Sequence, residues 1–190
     1  SDVCIKRKIR NRMMQLGSDV LIQSDDNKVD EYKSIKDRIE NTIDKNILKD
    51  KVKFSEQVNK TWIDVRTFGQ VFAFKGDDMS VGVRGPVSIH SAFSIDPINI
   101  TSIQITKSVN STGDSSKKSS DTMGMKHRVD FGLYKFAGSI NPQLASKTGF
   151  SDEDVEVVKK SLIELFEDDA SSARPDGSME VINVYWWKHN

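Results

Sequence analysis

The hydrophobic period of this chain changes near Gln70, and this change restricts the possible folds more than any other feature. Before it, apolar side chains recur at helical spacing, as at Ile5, Ile9 and Met13, which predicts amphipathic helices. After it, they form short runs or alternate with polar residues, as from Val87 to Phe93, which predicts strands. We therefore predict an α+β chain.

Three helices are predicted before this change. Ser1 and Asp2 cap the first, which ends at Gly17. The second spans residues 32–47 and carries both charge signs, so we interpret it as packing against the rest of the fold. A further short helix leads through residues 54–62 into the next motif.

The first helix carries five cations close to one acidic residue: Lys6, Arg7, Lys8, Arg10 and Arg12. A solvated basic face is the simpler interpretation. Because charges this dense repel one another, an anionic partner is favoured once other features point to one. The whole chain has 28 basic and 28 acidic residues, so its total charge gives no argument for nucleic acid. Acidic residues concentrate between positions 152 and 169.

Arg66 and Arg84 each stand near a turn-forming glycine, in the motifs Asp64–Gly69 and Val83–Val87. We expect both motifs at the borders of strand-like segments, where a rigid sheet edge would present the two cations. Asp64 is expected to orient Arg66, and the phenylalanine of the same motif is expected to pack in the core.

Further strands are predicted over residues 71–74, 87–93, 100–106, 129–136 and 181–187. Within the second of these, Ser88 and His90 fall on the polar face. An exposed histidine bonded to a neighbour is the simpler alternative to a ligand role.

The serine-rich stretch Lys107–Lys126 has almost nothing to bury, so we expect it to be mobile. It is also long for a connection in a compact domain, and such loops are often functional. Its end and the next residues combine two flexible apolar side chains with three potential cations: Met123, Met125, Lys126, His127 and Arg128. This combination suits a loop that inserts apolar groups between bases and holds phosphates beside them. The alternative is that both methionines return to the core.

Two helices are predicted near the end of the chain. Asn141 and Pro142 begin a short one, and Ser151 with Asp154 resembles a capping box before a longer one. The acidic outer face of the longer helix is interpreted as a solubilising surface.

Several classes of protein are excluded or disfavoured by composition. Cys4 is the only cysteine, which excludes an intrachain disulfide and a thiolate zinc site within this chain. No apolar run approaches the roughly 20 residues of a membrane-spanning helix. We therefore infer a cytoplasmic protein, or an excised part of one, and predict no cofactor and no metal.

Seven motifs, in this order along the chain, resemble the Cas seven family of the RAMP superfamily: Val3–Arg10, Asp64–Gly69, Val83–Val87, Ser94–Pro97, Met123–His127, Phe131–Tyr134 and Thr148–Asp154. The sequence is similar to the major backbone subunit of a type I CRISPR surveillance complex (Cascade), and within it to the type I-C (Dvulg) subtype. The resemblance covers nearly all of the chain except about 17–53.

The resemblance implies a single domain over residues 1–190, with an RRM-like (ferredoxin-like) core and inserted helical and β-hairpin lobes. The helical insertion would span 17–62, and a mobile, thumb-like hairpin would span 107–128. In this family a strand and an Asn-Gly-Asp-Pro-type loop precede the basic helix, and more chain follows Trp186–His189. We therefore expect the core to lack its first strand and its C-terminal part.

The implied function is non-catalytic and serves antiviral defence. Copies of the subunit stack head to tail along the spacer part of a CRISPR guide RNA (crRNA), without regard to sequence. The guide then pairs with target DNA, and other Cascade subunits complete the complex. The RNA-binding residues expected from the motifs and from local chemistry are Lys6, Arg7, Lys8, Arg10, Arg66, Arg84, Ser88, His90, Met123, Met125, Lys126, His127 and Arg128.

Two alternatives remain open at this point. The first is a RAMP-type endoribonuclease that processes or cuts RNA, with His127 beside Arg128, or His90, as the base. The second is a structural module whose basic first helix docks on the acidic helix of the next copy.

Overall fold

The structure is a computed structural model that describes residues 1–73, 80–106 and 123–189. Its helices are α1 (Asp2–Gln15), α2 (Ile35–Thr42), α3 (Lys51–Thr61), α4 (Ile63–Phe68), α5 (Pro142–Thr148) and α6 (Asp152–Ile163). Its strands are β1 (Gly69–Ala73), β2 (Ser80–Arg84), β3 (Val87–Ile89), β4 (Phe93–Ser94), β5 (Ile100–Thr106), β6 (Met123–Val129), β7 (Tyr134–Lys135) and β8 (Gly138–Ile140). Short 3₁₀ turns lie at Asp25–Asn27 and Ile47–Lys49. The predicted α+β class is confirmed.

The chain divides into two compact units. The first comprises Ser1–Ser91 and Ala137–Asn190, and the second comprises Ala92–Phe136. Every described sheet is a two-stranded antiparallel ladder. The ladders β1–β2 and β3–β8 belong to the first unit, and β4–β7 and β5–β6 belong to the second.

Local signals place the helix ends of the first unit. Ser1 occupies the N-cap position of α1 without the predicted side-chain hydrogen bond, and Gly17 follows the helix at a φ of +85°, where glycine carries no steric cost. Ser151 and Asp154 form the predicted capping box of α6. The Asn141 side chain accepts hydrogen bonds from the backbone N–H groups of Gln143 and Leu144 at the start of α5.

One hydrophobic core lies where α2 and α3 pack against the first ladder. Phe54 of α3 meets Phe72 of β1 edge to face, with ring centroids 5.1 Å apart, a favourable aromatic geometry. The cluster around this pair is apolar throughout: Leu21, Ile39, Ile43, Val58, Trp62, Val65 and Val81. It ties much of the predicted helical insertion to the strands.

The second predicted helix is shorter than its hydrophobic period suggested. Instead of spanning residues 32–47, α2 ends at Thr42, and Ile43 adopts an extended backbone with φ −105° and ψ 136°. Ile43 is nevertheless buried. Its side chain reaches the core from an extended segment. The apolar pattern in the sequence therefore continues past the end of the helix.

Three strand predictions need correction, and a fourth lies partly outside the described residues. Residues 130–133 form a turn between β6 and β7, so 129–136 is not one strand. The alternation over 87–93 is interrupted at residues 90–92, which separate β3 from β4. Residues 181–187 join no ladder of the described structure. The predicted strand at 71–74 is confirmed to Ala73, and the turn expected at 76–78 lies outside the described residues.

The predicted loop at 107–126 is corrected at its end. Residues 123–126 belong to β6, which pairs with β5 over seven residues from Ile100 opposite Val129 to Thr106 opposite Met123. Residues 107–122 lie outside the described structure. The prediction of a strand at 100–106 is confirmed.

Candidate functional site

The two glycines of the arginine motifs bring two backbone segments into close contact. A Cβ atom at Gly85 would lie 2.4 Å from the Gly69 nitrogen and 2.4 Å from the Thr67 oxygen. A Cβ atom at Gly69 would lie 2.4 Å from the Val83 oxygen, and Gly69 also has a φ of +78°. No side chain fits at either position, so both motifs have a structural reason for their glycine.

The motif Asp64–Gly69 lies at the border of strand β1, as expected, but the residues before Gly69 form helix α4. Gly69 ends this helix and begins β1. Arg66 therefore projects from a helix, while Arg84 is the last residue of β2. The predicted sheet-edge position is correct for Arg84 alone.

Arg66 is held by an acidic residue that the sequence did not connect with it. Its Nε and Nη2 atoms donate to the two carboxylate oxygens of Asp154, each over 2.8 Å, and Nη1 donates to the Asn59 carbonyl oxygen over 3.3 Å. Thr148 Oγ1 donates to the Arg66 carbonyl oxygen. A bidentate pair of this kind fixes the plane of the guanidinium.

Asp64 does not orient Arg66, contrary to the prediction. Its buried carboxylate accepts hydrogen bonds from the backbone N–H groups of Leu21 and Ile22, over 2.8 and 3.1 Å. The Arg10 Nε atom also donates to it, over 3.1 Å. Asp64 therefore ties the chain after α1 to α4 and fixes Arg10 of α1.

The ring of Phe68 lies beside two cations of α1 and is only partly buried. The Arg10 guanidinium carbon is 5.1 Å from the ring centroid, and Lys6 Nζ is 6.0 Å from it. These distances are those of cation–π contacts. Phe68 is therefore a platform for the basic helix as well as part of the packing.

The five cations of α1 have very different surroundings. Arg7 is exposed and has no ion-pair or hydrogen-bond partner among the described residues. Lys6 lies 3.8 Å from Asp2, one turn away. Lys8, by contrast, is only 3% exposed, so it does not lie on the open basic face that the sequence predicted.

An acidic turn after α6, residues 164–169, receives the remaining cations of α1. Lys8 forms an ion pair with Asp169, whose carboxylate also meets Arg174 at 3.3 Å. Arg12 donates to Glu164 over 2.6 Å and to Glu167 over 3.0 Å. The charge complementarity that suggested docking between copies is thus present within one chain. The acidic turn therefore binds cations of the same chain, in addition to the solubilising role that the sequence suggested.

Burial, and after it the charge of the nearby Arg174, lowers the pKa of Lys8 to about 8. An ammonium group loses hydration when it leaves water, which disfavours its charged form. Lys8 is therefore better described as a structural cation than as an open contact for an anion.

The other predicted residues of the first unit lie on the surface. Ser88 and His90 are exposed, and Ser88 Oγ lies 2.9 Å from Ser139 Oγ across the β3–β8 ladder. Arg84 is exposed as well. Neither Arg84 nor the His90 side chain has a partner within the described part of the chain.

In the second unit, the β5–β6 hairpin exposes both of its faces. The register places Met123, Met125, His127 and Val129 on one face, and Lys126 and Arg128 on the other. All seven residues of β6 are exposed. The cations predicted to lie beside the methionines are therefore divided between two faces, and Ile103 and Ile105 of β5 accompany Lys126 and Arg128.

Hydrogen bonds fix two of the polar side chains on this hairpin. His127 Nδ1 lies 2.8 Å from Ser102 Oγ on the opposite strand. Arg128 Nε donates to Asp130 over 3.0 Å. A hydrogen bond from Thr101, followed by the contact with Arg128, lowers the pKa of Asp130. Lys126 has no partner among the described residues.

Residues that sequence reasoning missed are mainly the acidic partners of the arginines, Asp154 and the 164–169 turn. The negative charge of these residues was visible in the sequence, but Arg66 and Arg12, which they bind, lie more than 80 positions away along the chain. Within the described ranges no cluster of histidine, cysteine and acidic residues could hold a metal ion. No helix of those ranges is long and apolar enough to cross a membrane.

Comparisons with known proteins identify a similar fold and the family of the chain. A solved structure described as a CRISPR RNA-guided surveillance complex, pre-nicking, contains a chain with a similar fold, at a TM-score of 0.51 and 15% sequence identity. The match covers 93% of this chain and 66% of that chain, so the sequence spans slightly less than two thirds of that chain's length. A comparison with curated proteins gives no match. The model of the CRISPR-associated protein Cas7 family matches residues 1–190, and the chain therefore belongs to the Cas7 family.

Proposed function

We propose that this chain binds crRNA without regard to sequence, as a non-catalytic backbone subunit of a type I Cascade complex used in antiviral defence. Copies assemble head to tail along the spacer, the guide pairs with target DNA, and other Cascade subunits join the particle. Membership of the Cas7 family supports the role in general terms. The sequence motifs support the type I-C subtype, an RRM-like core and a single domain.

The observation that carries the proposal is the β5–β6 hairpin. Met123 is 63% and Met125 is 55% exposed on one face, while Lys126 and Arg128 occupy the other. A two-stranded hairpin with apolar groups exposed on both faces is stabilised by a partner that takes up those groups. Single-stranded RNA offers base faces for the apolar side chains and phosphates for the cations.

The basic helix α1 supports the same function with fewer accessible cations than the sequence suggested. Arg7 and Lys6 are its accessible cations, while Lys8, Arg10 and Arg12 are engaged by carboxylates of the same chain. Arg84 and His90 add exposed polar groups on the first unit. Contacts of this type neutralise phosphates and carry no base code, as a subunit that accepts any spacer requires.

Titration of two fluorescent RNAs of equal length and unrelated sequence tests the proposal. We expect dissociation constants within about twofold of each other and a linear fall of log affinity with log salt. Arg7→Ala should weaken both complexes equally, whereas Lys45→Ala, which removes an exposed cation of the same unit, should leave them unchanged. A large preference for one sequence, or no binding of either RNA, would contradict the proposal.

One contact favours the endoribonuclease alternative. Ser102 fixes the His127 ring through Nδ1, so the other ring nitrogen remains available to act as a base. The two strand cations, however, lie on the opposite face of the hairpin, away from a phosphate that approaches His127. Incubation with labelled precursor and target RNA distinguishes the two functions, because specific products that disappear in His127→Ala would establish cleavage.

A further inference from the structure

Arg12 of α1 meets more carboxylates than one guanidinium group needs. Its Nε and Nη2 atoms donate to the same oxygen of Glu164, over 2.8 and 2.6 Å. Nη2 also donates to Glu167 over 3.0 Å, and Nη1 lies 3.8 Å from an oxygen of Asp168. Nη1 donates in addition to Gln15 over 3.0 Å. All three guanidinium nitrogens therefore have partners within the chain.

Two of these three carboxylates contribute little to holding the acidic turn in place. The side chain of Glu164 is only 21% exposed, whereas those of Glu167 and Asp168 are 60% and 81% exposed. Ion pairs at exposed positions add little to stability. Leu165 is buried and anchors the turn from within. The charges of Glu167 and Asp168 are therefore surplus to the packing of the turn against α1.

These two charges change what α1 offers to an anion. Carboxylate oxygens bind arginine with the same hydrogen-bond geometry as phosphate oxygens, so they occupy Arg12 as a phosphate would. A phosphate that approaches this end of α1 also meets two exposed negative charges before it reaches the guanidinium, and like charges repel. Arg7, near the other end of the helix, has no such carboxylate partner among the described residues.

We propose that Glu167 and Asp168 compete within the chain for the phosphate site at Arg12, as an autoinhibitory contact that lowers the affinity of α1 for RNA. This inference rests on the RNA-binding function proposed above. A phosphate would displace the two exposed carboxylates into solvent, while Glu164 and the backbone of the turn stay in place. A weaker contact per copy favours an RNA that many copies bind together over an RNA that meets a single copy.

Neutralisation of the two carboxylates tests the competition. Glu167→Gln with Asp168→Asn keeps the shapes of the side chains and removes two negative charges. The matched control is Asp152→Asn with Glu156→Gln, which removes two charges from exposed positions of α6 that have no described contact with α1. Fluorescence anisotropy with one RNA should show about fivefold tighter binding for the turn variant. The control should change affinity by less than about twofold, because salt screens distant charges.

A second comparison asks whether the gain passes through Arg12. Arg12→Gln should leave the affinity of wild type unchanged, since its guanidinium is already occupied. In the neutralised turn variant the same substitution should remove the gain. The turn variant should also have a steeper slope of log affinity against log salt, by about one phosphate contact. This slope does not depend on the folding of Arg12→Gln, and far-UV circular dichroism checks the folding of every variant.

The outcomes separate this inference from the proposed function. If wild type binds RNA and the turn variant binds it no more tightly than the control does, the competition is wrong and the RNA-binding function stands. A gain in affinity that Arg12→Gln leaves intact, or one without a change in salt slope, would likewise overturn the competition. A wild type that binds no RNA would overturn both.

Discussion

Arg66 and Asp154 lie 88 positions apart in the sequence and form a bidentate ion pair with two 2.8 Å hydrogen bonds. Asp154 also accepts the Ser151 backbone N–H at the start of α6, over 3.0 Å. One carboxylate therefore fixes both a helix cap and the arginine of α4. This pair links the motif that contains Arg66 to the C-terminal helix.

Removal of the Asp154 carboxylate should destabilise the fold. Asp154→Ala leaves a partly buried guanidinium unpaired and removes the carboxylate half of the capping box, so we expect a loss of about 2 to 4 kcal/mol. Chemical denaturation measures this loss. The matched control is Asp130→Ala, which breaks the exposed pair with Arg128 and should cost much less, because exposed ion pairs contribute little to stability. Equal losses in the two variants would contradict our interpretation.

Gly85 should not tolerate even one methyl group. Gly85→Ala would place a carbon 2.4 Å from three backbone atoms, which cannot move as a side chain can. We expect a loss of at least about 2 kcal/mol in unfolding free energy. Gly82→Ala is the control, because a Cβ at Gly82 meets nothing within 4 Å. A thermal melt of both variants should show a lower Tm for Gly85→Ala alone.

The stability contributed by Lys8 should depend on pH. Its pKa is about 8 in the folded chain against 10.5 in the unfolded chain, so the unfolded state binds more protons between these values. Stability should therefore rise with pH from about 8 to about 10.5.

The comparison uses Lys8→Met, which keeps an apolar stem and removes the charge, so the difference from wild type isolates the contribution of Lys8. Urea denaturation of both proteins should show wild type gaining stability relative to Lys8→Met as pH rises through this range. A difference that stays constant or falls would show that the pKa of Lys8 is not lowered.

The two faces of the β5–β6 hairpin should contribute differently to RNA binding. Lys126→Ala should lower affinity and reduce the slope of log affinity against log salt by about one phosphate contact. Met123→Ala with Met125→Ala should lower affinity and leave that slope unchanged, because no charge is lost. Fluorescence anisotropy at several salt concentrations measures both effects. A salt slope that changes equally in the two variants would contradict this division.

The sequence predicted features that depend on near neighbours. The start of α6 follows from Ser151 and Asp154, three positions apart, and the end of α1 follows from Gly17. Strand β5 was also predicted, since its residues carry their own β preference. These signals act within one helical turn or one strand, so a pattern in the sequence is enough to reveal them.

Features that depend on distant residues were predicted poorly. The sequence placed five cations on one helix face, but burial of Lys8 depends on Asp169, which lies 161 positions away. Asp64 was linked to Arg66 because the two are close in sequence. In the fold its carboxylate instead accepts from Arg10 and from the backbone after α1. Charge patterns show the sign of a partner, but tertiary packing decides which partner is met.

The central claim is that copies of this chain assemble on guide RNA without reading its sequence. Light scattering after size-exclusion chromatography, with guide RNAs of increasing spacer length and two unrelated sequences, tests it most directly. We predict that the number of protein copies per RNA rises in regular steps with spacer length and is the same for both sequences. A particle mass that RNA leaves unchanged, or that depends on sequence at constant length, would contradict the account.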